Sequence, residues 1–552
     1  MSKIHALLKA AIALSFFYSG LVFSNCDCGN TNPLSPCTGN IITHISGGKT
    51  FTWEFNCGDT ACSCGQFING DYWVAPSVSN QSVTITAVSP VGIENGLVKN
   101  PMDNTKHGLL SCEANHYDAT LNLMNSLPVE ITSPSSLVKA DRREEACGTK
   151  STLGCCVDSY DVLTILDEVP ISNGSNIFRP AFASTNKRLF SSDDFDYSLI
   201  PSESKVSASR HQANFSDIVA RWNTPYVDHY MQGHGDSGRR FAPAAVLPDY
   251  GAELGGLYIS DLISIMGSES PYDKKMPANA LIQRGIDLYG SLSAGISWPS
   301  GAGQQVGRKQ PLAFFASLVR DADIKREIMA LAEAGKNRTQ VDGQIRVISH
   351  YDGGGNIPVW GDEQGCGEDI YWSQLFFAQN YYGASHSQIG TGDNKRTCAD
   401  PYGWIDGPAG MPGDAYMSCC STGVYNGYVL AQYIMPELCK IANDPEILEY
   451  VNRVKETGVH TQPDSCAPPD PKESTACLPY KAGHPGCLYY GKTWGPNPEQ
   501  PGKCIKNGTN GTIQSGRYPH LHGRKISVLN QPLIVDELWD YYYSSRPNLF
   551  CE

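Results

Sequence analysis

The sequence predicts an α+β protein with an N-terminal β-sandwich, followed by an α/α-toroid-like helical domain with a disulfide-rich insertion. Three observations support this fold class. Early in the chain of 552 residues, apolar and polar residues alternate as in half-buried strands. After about residue 200, the apolar spacing becomes that of amphipathic helices. The 20 cysteines all follow Ser24, which indicates a disulfide-bonded exported protein.

The predicted organisation has four parts. Residues 1–24 combine two lysines, an apolar run and small residues before Asn25, which is typical of a secretory signal peptide. Residues 25–140 form the predicted β-sandwich and 141–200 a connection. Residues 201–552 form the helical domain, in which 460–525 are a Cys/Pro/Gly-rich insertion. We therefore expect a secreted, extracellular protein with no membrane contact after signal cleavage.

Period-two patterns identify the strands. "TFTWEF" places Phe51, Trp53 and Phe55 on one face, and "SVTITAV" alternates Val83, Ile85 and Ala87 with hydroxyl side chains. Turn residues separate these runs, as in a sandwich.

Helical spacing identifies the second domain. "DYGAELGGLYISDLISIMG" aligns Leu254, Leu257, Tyr258, Leu262 and Ile265, and a second helix is predicted to begin near Pro277. Further helices are predicted in "QPLAFFASLVRD", "ADIKREIMALAEAG", "GEDIYWSQLFFAQNYYG", "STGVYNGYVLAQYIMPELCKIA", "DPEILEYVNRVKETG" and "QPLIVDELWDYYYSS". Long Gly-rich loops join them, which favours a toroid whose loops form a cleft.

Cysteine and charge patterns indicate the redox environment of the protein and the classes of partner that it can bind. We expect most cysteines to be paired, with Cys466, Cys477, Cys487 and Cys504 pairing among themselves. A net charge of −14 argues against nucleic acid but not against an acidic polysaccharide that binds in a local basic cleft. Sequons mark candidate glycosylation positions at Asn80, Asn173, Asn214, Asn337, Asn507 and Asn510.

Four Gly-rich loop segments carry the residues most suited to chemistry. Aromatic faces pack on sugar rings, and charged groups bind hydroxyls or carboxylates. The candidate catalytic residues are His229, His234, Arg239, Asp249, Tyr250, Lys309, His350 and Tyr416. The candidate substrate-binding residues are Arg240, Trp298, Arg308, Tyr351, Trp360, Glu363 and Trp404.

Two reactions fit this residue set. β-Elimination of a uronide needs a cation that neutralises the carboxylate and a His, Tyr or Lys that removes the adjacent proton. Hydrolysis needs two carboxylates across the bond. The candidates for this pair are Asp249, Glu253, Asp362, Glu363, Glu368 and Asp369. Bases and cations share loops, so a lyase is favoured over a hydrolase.

Structural explanations compete with these roles. Arg308 and Lys309 would pair with an acid at the surface, and Tyr250 would pack at a helix end. His229 and His234 lack a zinc motif, so neither a metal nor another cofactor is expected there. The loop "DGGGNIPVWGDEQGCGED" lacks EF-hand spacing, and an irregular structural calcium site in it stays an alternative.

Several short motifs resemble landmarks of large exported bacterial proteins whose activity is not settled. They are "GQFINGDYWV", "VTITAVSP", "FRPAF", "PDYG", "GIDLYG", "GRKQPLAFFA", "CC" and "LWDYY". The resemblance covers most of residues 41–550 and implies the domain layout. The layout is also loosely similar to that of toroidal polysaccharide lyases.

Two function classes follow. The first is a secreted carbohydrate-active enzyme that cleaves an acidic polysaccharide. The second is a non-catalytic extracellular protein that binds glycans, adheres or self-associates into filaments, which heavy disulfide use favours.

Overall fold

The structure of the protein, a computed structural model, describes most of the chain between residues 40 and 334 and parts of the remainder. The described residues are 40–78, 82–102, 106–111, 116–132, 134–142, 157–183, 185–227, 243, 246–267, 271–296, 307–334, 422–443, 448, 451–452, 455, 494–496, 504–506 and 531–545. They contain strands in antiparallel and mixed sheets as well as several helices, which confirms the α+β class.

Nine strands build two sheets in the first part of the chain. They are β1 (Ile41–Ser46), β2 (Lys49–Asn56), β3 (Cys62–Gln66), β4 (Tyr72–Pro76), β5 (Val83–Ser89), β6 (Leu97–Lys99), β7 (Val129–Ile131), β8 (Ser135–Arg142) and β9 (Val157–Ile165). The first sheet has the order β1-β2-β5-β7 and is antiparallel. The second has the order β3-β4-β9-β8-β6, with one parallel pair, β4 with β9.

The predicted alternation holds in β2 and changes within β5. Phe51, Trp53 and Phe55 are all buried. In β5, Val83 and Ile85 are buried, but the next buried residue is Val88 rather than Ala87. The register between β2 and β5 shifts at Glu54/Phe55, and such a bulge turns the following side chains to the other face.

A central strand of the second sheet lies within the predicted connection 141–200. Strand β9 pairs with β8 on one side and with β4 on the other. All of its residues except Asp158 are buried. Both faces of β9 are therefore covered, and buried polar residues lie among its apolar ones (Ser159, Asp161 and Thr164), so period-two patterning does not mark it.

The second sheet contributes to two hydrophobic clusters. Leu137, Leu163 and Ile165 pack in a cluster that also contains Trp53 and Ile85 of the first sheet. The intervening residues of the same strands join the other cluster, which continues into the helices; they are Val138, Ala140, Tyr160 and Val162. The apolar core therefore continues from the sheets into the helical part.

Helices dominate the described residues after 200. Two short strands, β10 (Ile177–Phe178) and β11 (Phe190–Ser191), precede them. The helices are α1 (Ser204–Ser207), α2 (Phe215–Trp222), α3 (Gly251–Ile265), α4 (Pro271–Ser293), α5 (Lys309–Leu318), α6 (Ala322–Ala334), α7 (Thr422–Ile434), α8 (Pro436–Ala442) and α9 (Leu533–Ser545). Helix α4 packs against α5 and α2, and α3 packs against α7. A later pair of strands, β12 (Trp494–Pro496) and β13 (Cys504–Lys506), is antiparallel.

Two helix boundaries differ from the prediction, and both involve proline. Helix α4 begins at Pro271 and continues through Pro277, where the sequence predicted a start. The segment predicted as one helix after Ser421 is divided into α7 and α8, with Met435 between them in an extended conformation. A proline disfavours the helical conformation of the residue before it, which explains the break before Pro436.

The cysteine side chains that the structure describes are disulfide-bonded. Cys57 bonds Cys62, and Cys64 and Cys439 are also in disulfides. The predicted pairing among Cys466, Cys477, Cys487 and Cys504 lies outside the described side chains and stays a prediction.

Candidate functional site

Three helices begin at one place in the helical part. A Cβ atom built on Gly307 would lie 2.9 Å from Cα of Gly255 and 3.1 Å from the carbonyl oxygen of Gly251. A Cβ atom on Gly255 would lie 3.1 Å from Cγ1 of Val424. These residues belong to the first two turns of α3, to the first turn of α7 and to the residues just before α5. We call them the three-helix junction. Gly307 has φ +102°, a conformation that favours glycine.

Helix N-termini and two cationic side chains bring positive charge to the junction. Unpaired backbone N–H groups give each helix N-terminus a partial positive charge, which favours anions. The first residues of α5 add two cations, Arg308 and Lys309, with exposed fractions of 0% and 4%. Cations buried at a positive helix end are stabilised only by nearby acceptors or negative charge, and both side chains do take part in interactions. The expectation that this pair lies at the surface is therefore wrong.

Gln310, the next residue of α5, is the polar group that sequence reasoning missed here. Its side chain is fully buried, and among the residues that the structure describes neither its amide nitrogen nor its carbonyl oxygen has a hydrogen-bond partner. Leaving such a group unsatisfied typically costs about 1–3 kcal/mol. The sequence gives no signal for this, because glutamine is common in the first turn of helices.

Tyr258 is an aromatic residue that lies one helical turn from the junction. Tyr258 follows Gly255 on α3, and its hydroxyl donates to the carbonyl of Leu281 at 3.2 Å. The Arg284 guanidinium lies 3.7 Å from the ring centre of Tyr226. Burial raises the pKa of Tyr258 well above its ordinary value, so this phenol stays protonated at neutral pH.

The junction brings together two of the four predicted loop segments, the one that contains Asp249 and the one that contains Arg308. Asp249 and Tyr250 directly precede α3 and are partly buried, and Arg308 and Lys309 follow Gly307. Glu253 is exposed in the first turn of α3, where its charge suits the helix end. The other predicted site residues lie outside the described residues: His229, His234, Arg239, Arg240, Trp298, His350, Tyr351, Trp360, Glu363, Trp404 and Tyr416. The loop considered for calcium also lies outside them.

A second group of charged residues lies where the sheets meet α4. Arg179 donates from Nε to Asp71 at 2.5 Å and forms a bidentate pair with Asp287 at 2.8 and 2.7 Å. Asp161 accepts from the Trp53 indole at 2.6 Å and pairs with Nδ1 of His44 at 2.6 Å. We call His44, Asp71, Asp161, Arg179 and Asp287 the buried ion-pair network.

The network has the chemistry of a structural link. Ligand atoms of His44, Asp71 and Asp161 lie within 4.8 Å of one another, a spacing at which a metal ion could be held. However, Nδ1 of His44 already pairs with Asp161, and Asn69 and Arg179 both donate to one carboxylate oxygen of Asp71. Desolvation lowers the pKa of Arg179, but the two aspartates raise it well above its ordinary range, so the guanidinium stays charged.

The sequence contains a signal for part of this network. Asp71, Arg179 and Asp287 are the charged residues of "GQFINGDYWV", "FRPAF" and "GIDLYG", three motifs that otherwise consist mainly of apolar residues and glycine. A charge inside such a motif must be paired if the motif is buried. His44 and Asp161 lie in ordinary strand patterns and give no such signal.

The network makes stability depend on pH through His44. Burial lowers its pKa, but the hydrogen bond and charge of Asp161, together with the charge of Asp71, raise it above the ordinary value overall. Only 16% of the side chain is exposed, and the Tyr72 ring packs edge-on against it at 5.2 Å. The pair therefore contributes stability that is fully present below about pH 6.5 and is lost as pH rises through the folded-state pKa.

We expect His44→Gln to be most destabilising in mild acid. The difference in free energy of unfolding between wild type and variant should shrink as pH increases from about 6 to about 9. Urea unfolding at a series of pH values measures it. A difference that does not change with pH would show that His44 has the same pKa in the folded and unfolded chains.

Among the described residues, no helix is both long and apolar enough to cross a bilayer. Comparison with protein-family models, with curated protein sequences and with solved structures finds no match to this chain.

Proposed function

We propose that this is a secreted carbohydrate-active protein that acts on an acidic polysaccharide at the three-helix junction, and that elimination is favoured over hydrolysis. We further propose that its two sheets form a β-sandwich and its helices an α/α toroid. The observation that carries the proposal is that the segments 249–251 and 307–309 meet at converging helix N-termini with Arg308 and Lys309 buried beside them.

Elimination needs positive charge where negative charge develops. The proton beside a uronate carboxylate becomes acidic when a fixed cation stabilises the enolate-like transition state. Arg308 and Lys309 have this role in the proposal. A base must also reach the proton, and Tyr250 at the start of α3 is the described candidate, with His229, His234, His350 and Tyr416 as the others.

The proposal is tested with a panel of uronate polysaccharides. Elimination produces an unsaturated sugar that absorbs in the ultraviolet, whereas hydrolysis produces only new reducing ends. Lys309→Met is expected to lower the rate of absorbance increase about 100-fold or more, because one stabilising donor is lost. Lys205→Met, an exposed lysine of α1, is the control and should retain full activity. Circular dichroism confirms that both variants are folded.

The other outcomes discriminate between the function classes. New reducing ends without ultraviolet absorbance would indicate hydrolysis rather than elimination, with Asp249 and Glu253 as the carboxylate pair. No cleavage, together with retention on a glycan column or assembly into fibres, would favour the non-catalytic class. One observation supports self-association: β1 is an edge strand whose Ile41 and Ile45 are 44% and 62% exposed.

A further inference from the structure

Strand β1 is an edge strand without the features that usually prevent an edge from pairing with another chain. Among the described strands it pairs only with β2. It is six residues long, and its sequence "IITHIS" contains no proline, lysine, arginine or carboxylate. Natural edge strands usually avoid further pairing because they are very short, carry charge or proline, or are covered by another segment.

The other three edges of the two sheets have such protection. Strands β6 and β7 are only three residues long, and Lys99 ends β6 while Pro128 directly precedes β7. Strand β3 packs against the segment after β9, since a Cβ atom on Gly65 would lie 3.0 Å from the carbonyl oxygen of Asn173. This contrast favours a partner strand for β1.

The hairpin between β1 and β2 determines which backbone groups of β1 face outward. Its turn consists of two glycines, 47 and 48, both with positive φ. Such a turn is closed by a hydrogen bond between the flanking residues, here Ser46 and Lys49. Hydrogen-bonded and non-hydrogen-bonded pairs alternate along an antiparallel ladder. Alternate residues of β1 therefore direct their N–H and C=O groups away from β2. They are Ile41, Thr43 and Ile45.

We propose that two copies of the chain pair through β1, antiparallel and about a two-fold axis at Thr43, which joins their first sheets into one. Thr43 then lies opposite Thr43 of the second copy, and Ile41 lies opposite Ile45. This register brings all the outward groups of both strands together in about six backbone hydrogen bonds. A shift by one residue would set outward groups against inward ones, and a shift by two would pair fewer of them.

The side chains on the outer face suit the same register. Ile41 and Ile45 are 44% and 62% exposed, and Thr43 between them is also exposed. The pairing covers each isoleucine with an isoleucine of the other copy and sets two threonines together, and both kinds of cross-strand pair are favourable. The strand is therefore complementary to itself, as a two-fold contact requires.

The contact is small, and it closes on itself. Two short strands bury less than the about 1,200 Å² of a stable interface, so we expect a weak dimer whose population depends on concentration. A two-fold contact gives dimers rather than fibres. The inference does not depend on the proposed carbohydrate chemistry.

Thr43→Lys tests the proposal in the full-length protein. Sedimentation equilibrium of the wild type should show a shift from monomer to dimer with increasing concentration. The variant sets two like charges opposite each other at the axis, so its dimer dissociation constant should rise about 10-fold or more. Thr50→Lys is the matched control, because Thr50 is also exposed but lies on β2, opposite Ile45 and one strand away from the edge. It should dimerise like the wild type.

Cysteine variants test the register. Thr43→Cys should form an intermolecular disulfide under mild oxidation, because hydrogen-bonded partners have Cα atoms about 5.5 Å apart. Ile45→Cys should not, since its position lies opposite Ile41 of the second copy. A wild type that stays monomeric at every concentration, or a dimer that both lysine variants weaken equally, would overturn the proposal. Stronger cross-linking of Ile45→Cys than of Thr43→Cys would overturn it as well.

Discussion

Replacing Arg179 by methionine is expected to lower the free energy of unfolding by about 3–5 kcal/mol. Methionine has a similar length and no charge, so Asp71 and Asp287 would remain buried without their shared cation. The side chains of Arg179, Asp71 and Asp287 are only 2%, 2% and 7% exposed, so water cannot replace the lost charge. Because Arg179 links the segment before β4 to α4, the loss should affect both parts of the fold. Urea unfolding followed by circular dichroism and by tryptophan fluorescence measures it.

An exposed ion pair provides the control. Arg188 pairs with Asp321 at 2.6 Å, but the two side chains are 47% and 26% exposed. Arg188→Met is therefore expected to cost about 0–1 kcal/mol. Adding Asp71→Asn and Asp287→Asn to Arg179→Met should recover part of the loss, since the uncompensated carboxylates cause it. Equal, small losses for Arg179→Met and Arg188→Met would contradict the buried network.

Replacing Gly285 by alanine is expected to destabilise the protein by about 1–3 kcal/mol. In the middle of an ordinary helix the same change stabilises by about 1 kcal/mol, so the expected sign is reversed. A Cβ atom at Gly285 of α4 would lie 2.5 Å from the carbonyl oxygen of Pro311 and would also overlap Cβ of Phe315. A backbone carbonyl inside a helix cannot move aside without displacing α5.

Gly427→Ala of α7 provides a matched comparison for this test. There a Cβ atom would overlap Cγ2 of Ile259, an atom of a side chain rather than of the backbone. The loss should be smaller than at Gly285, because a side chain adjusts at lower cost than a helix axis. Free energies from urea unfolding give the comparison. A gain in stability for Gly285→Ala would mean that α4 and α5 are further apart than the structure places them.

The sequence by itself determined the elements whose pattern lies within a few neighbouring residues. The apolar face of β2 and most of the helical stripe of α3 follow from local periodicity and are buried as expected, whereas Leu257 of that stripe is only partly buried. The α+β class follows from the change between these periods. In a strand or helix with one solvent-facing side, the spacing of polar and apolar residues identifies that side, so the element can be recognised without knowledge of distant contacts.

Only the tertiary structure decided which elements are covered on both sides and which charges meet. Polar and apolar residues do not alternate in strand β9, because the first sheet covers one of its faces and the helices cover the other. The partners in the ion-pair network are more than 100 residues apart, with 108 between Arg179 and each aspartate. The burial of Gln310 without a partner among the described residues is likewise visible only in the structure. Burial and pairing depend on long-range contacts, and a single sequence contains no periodic signal for them.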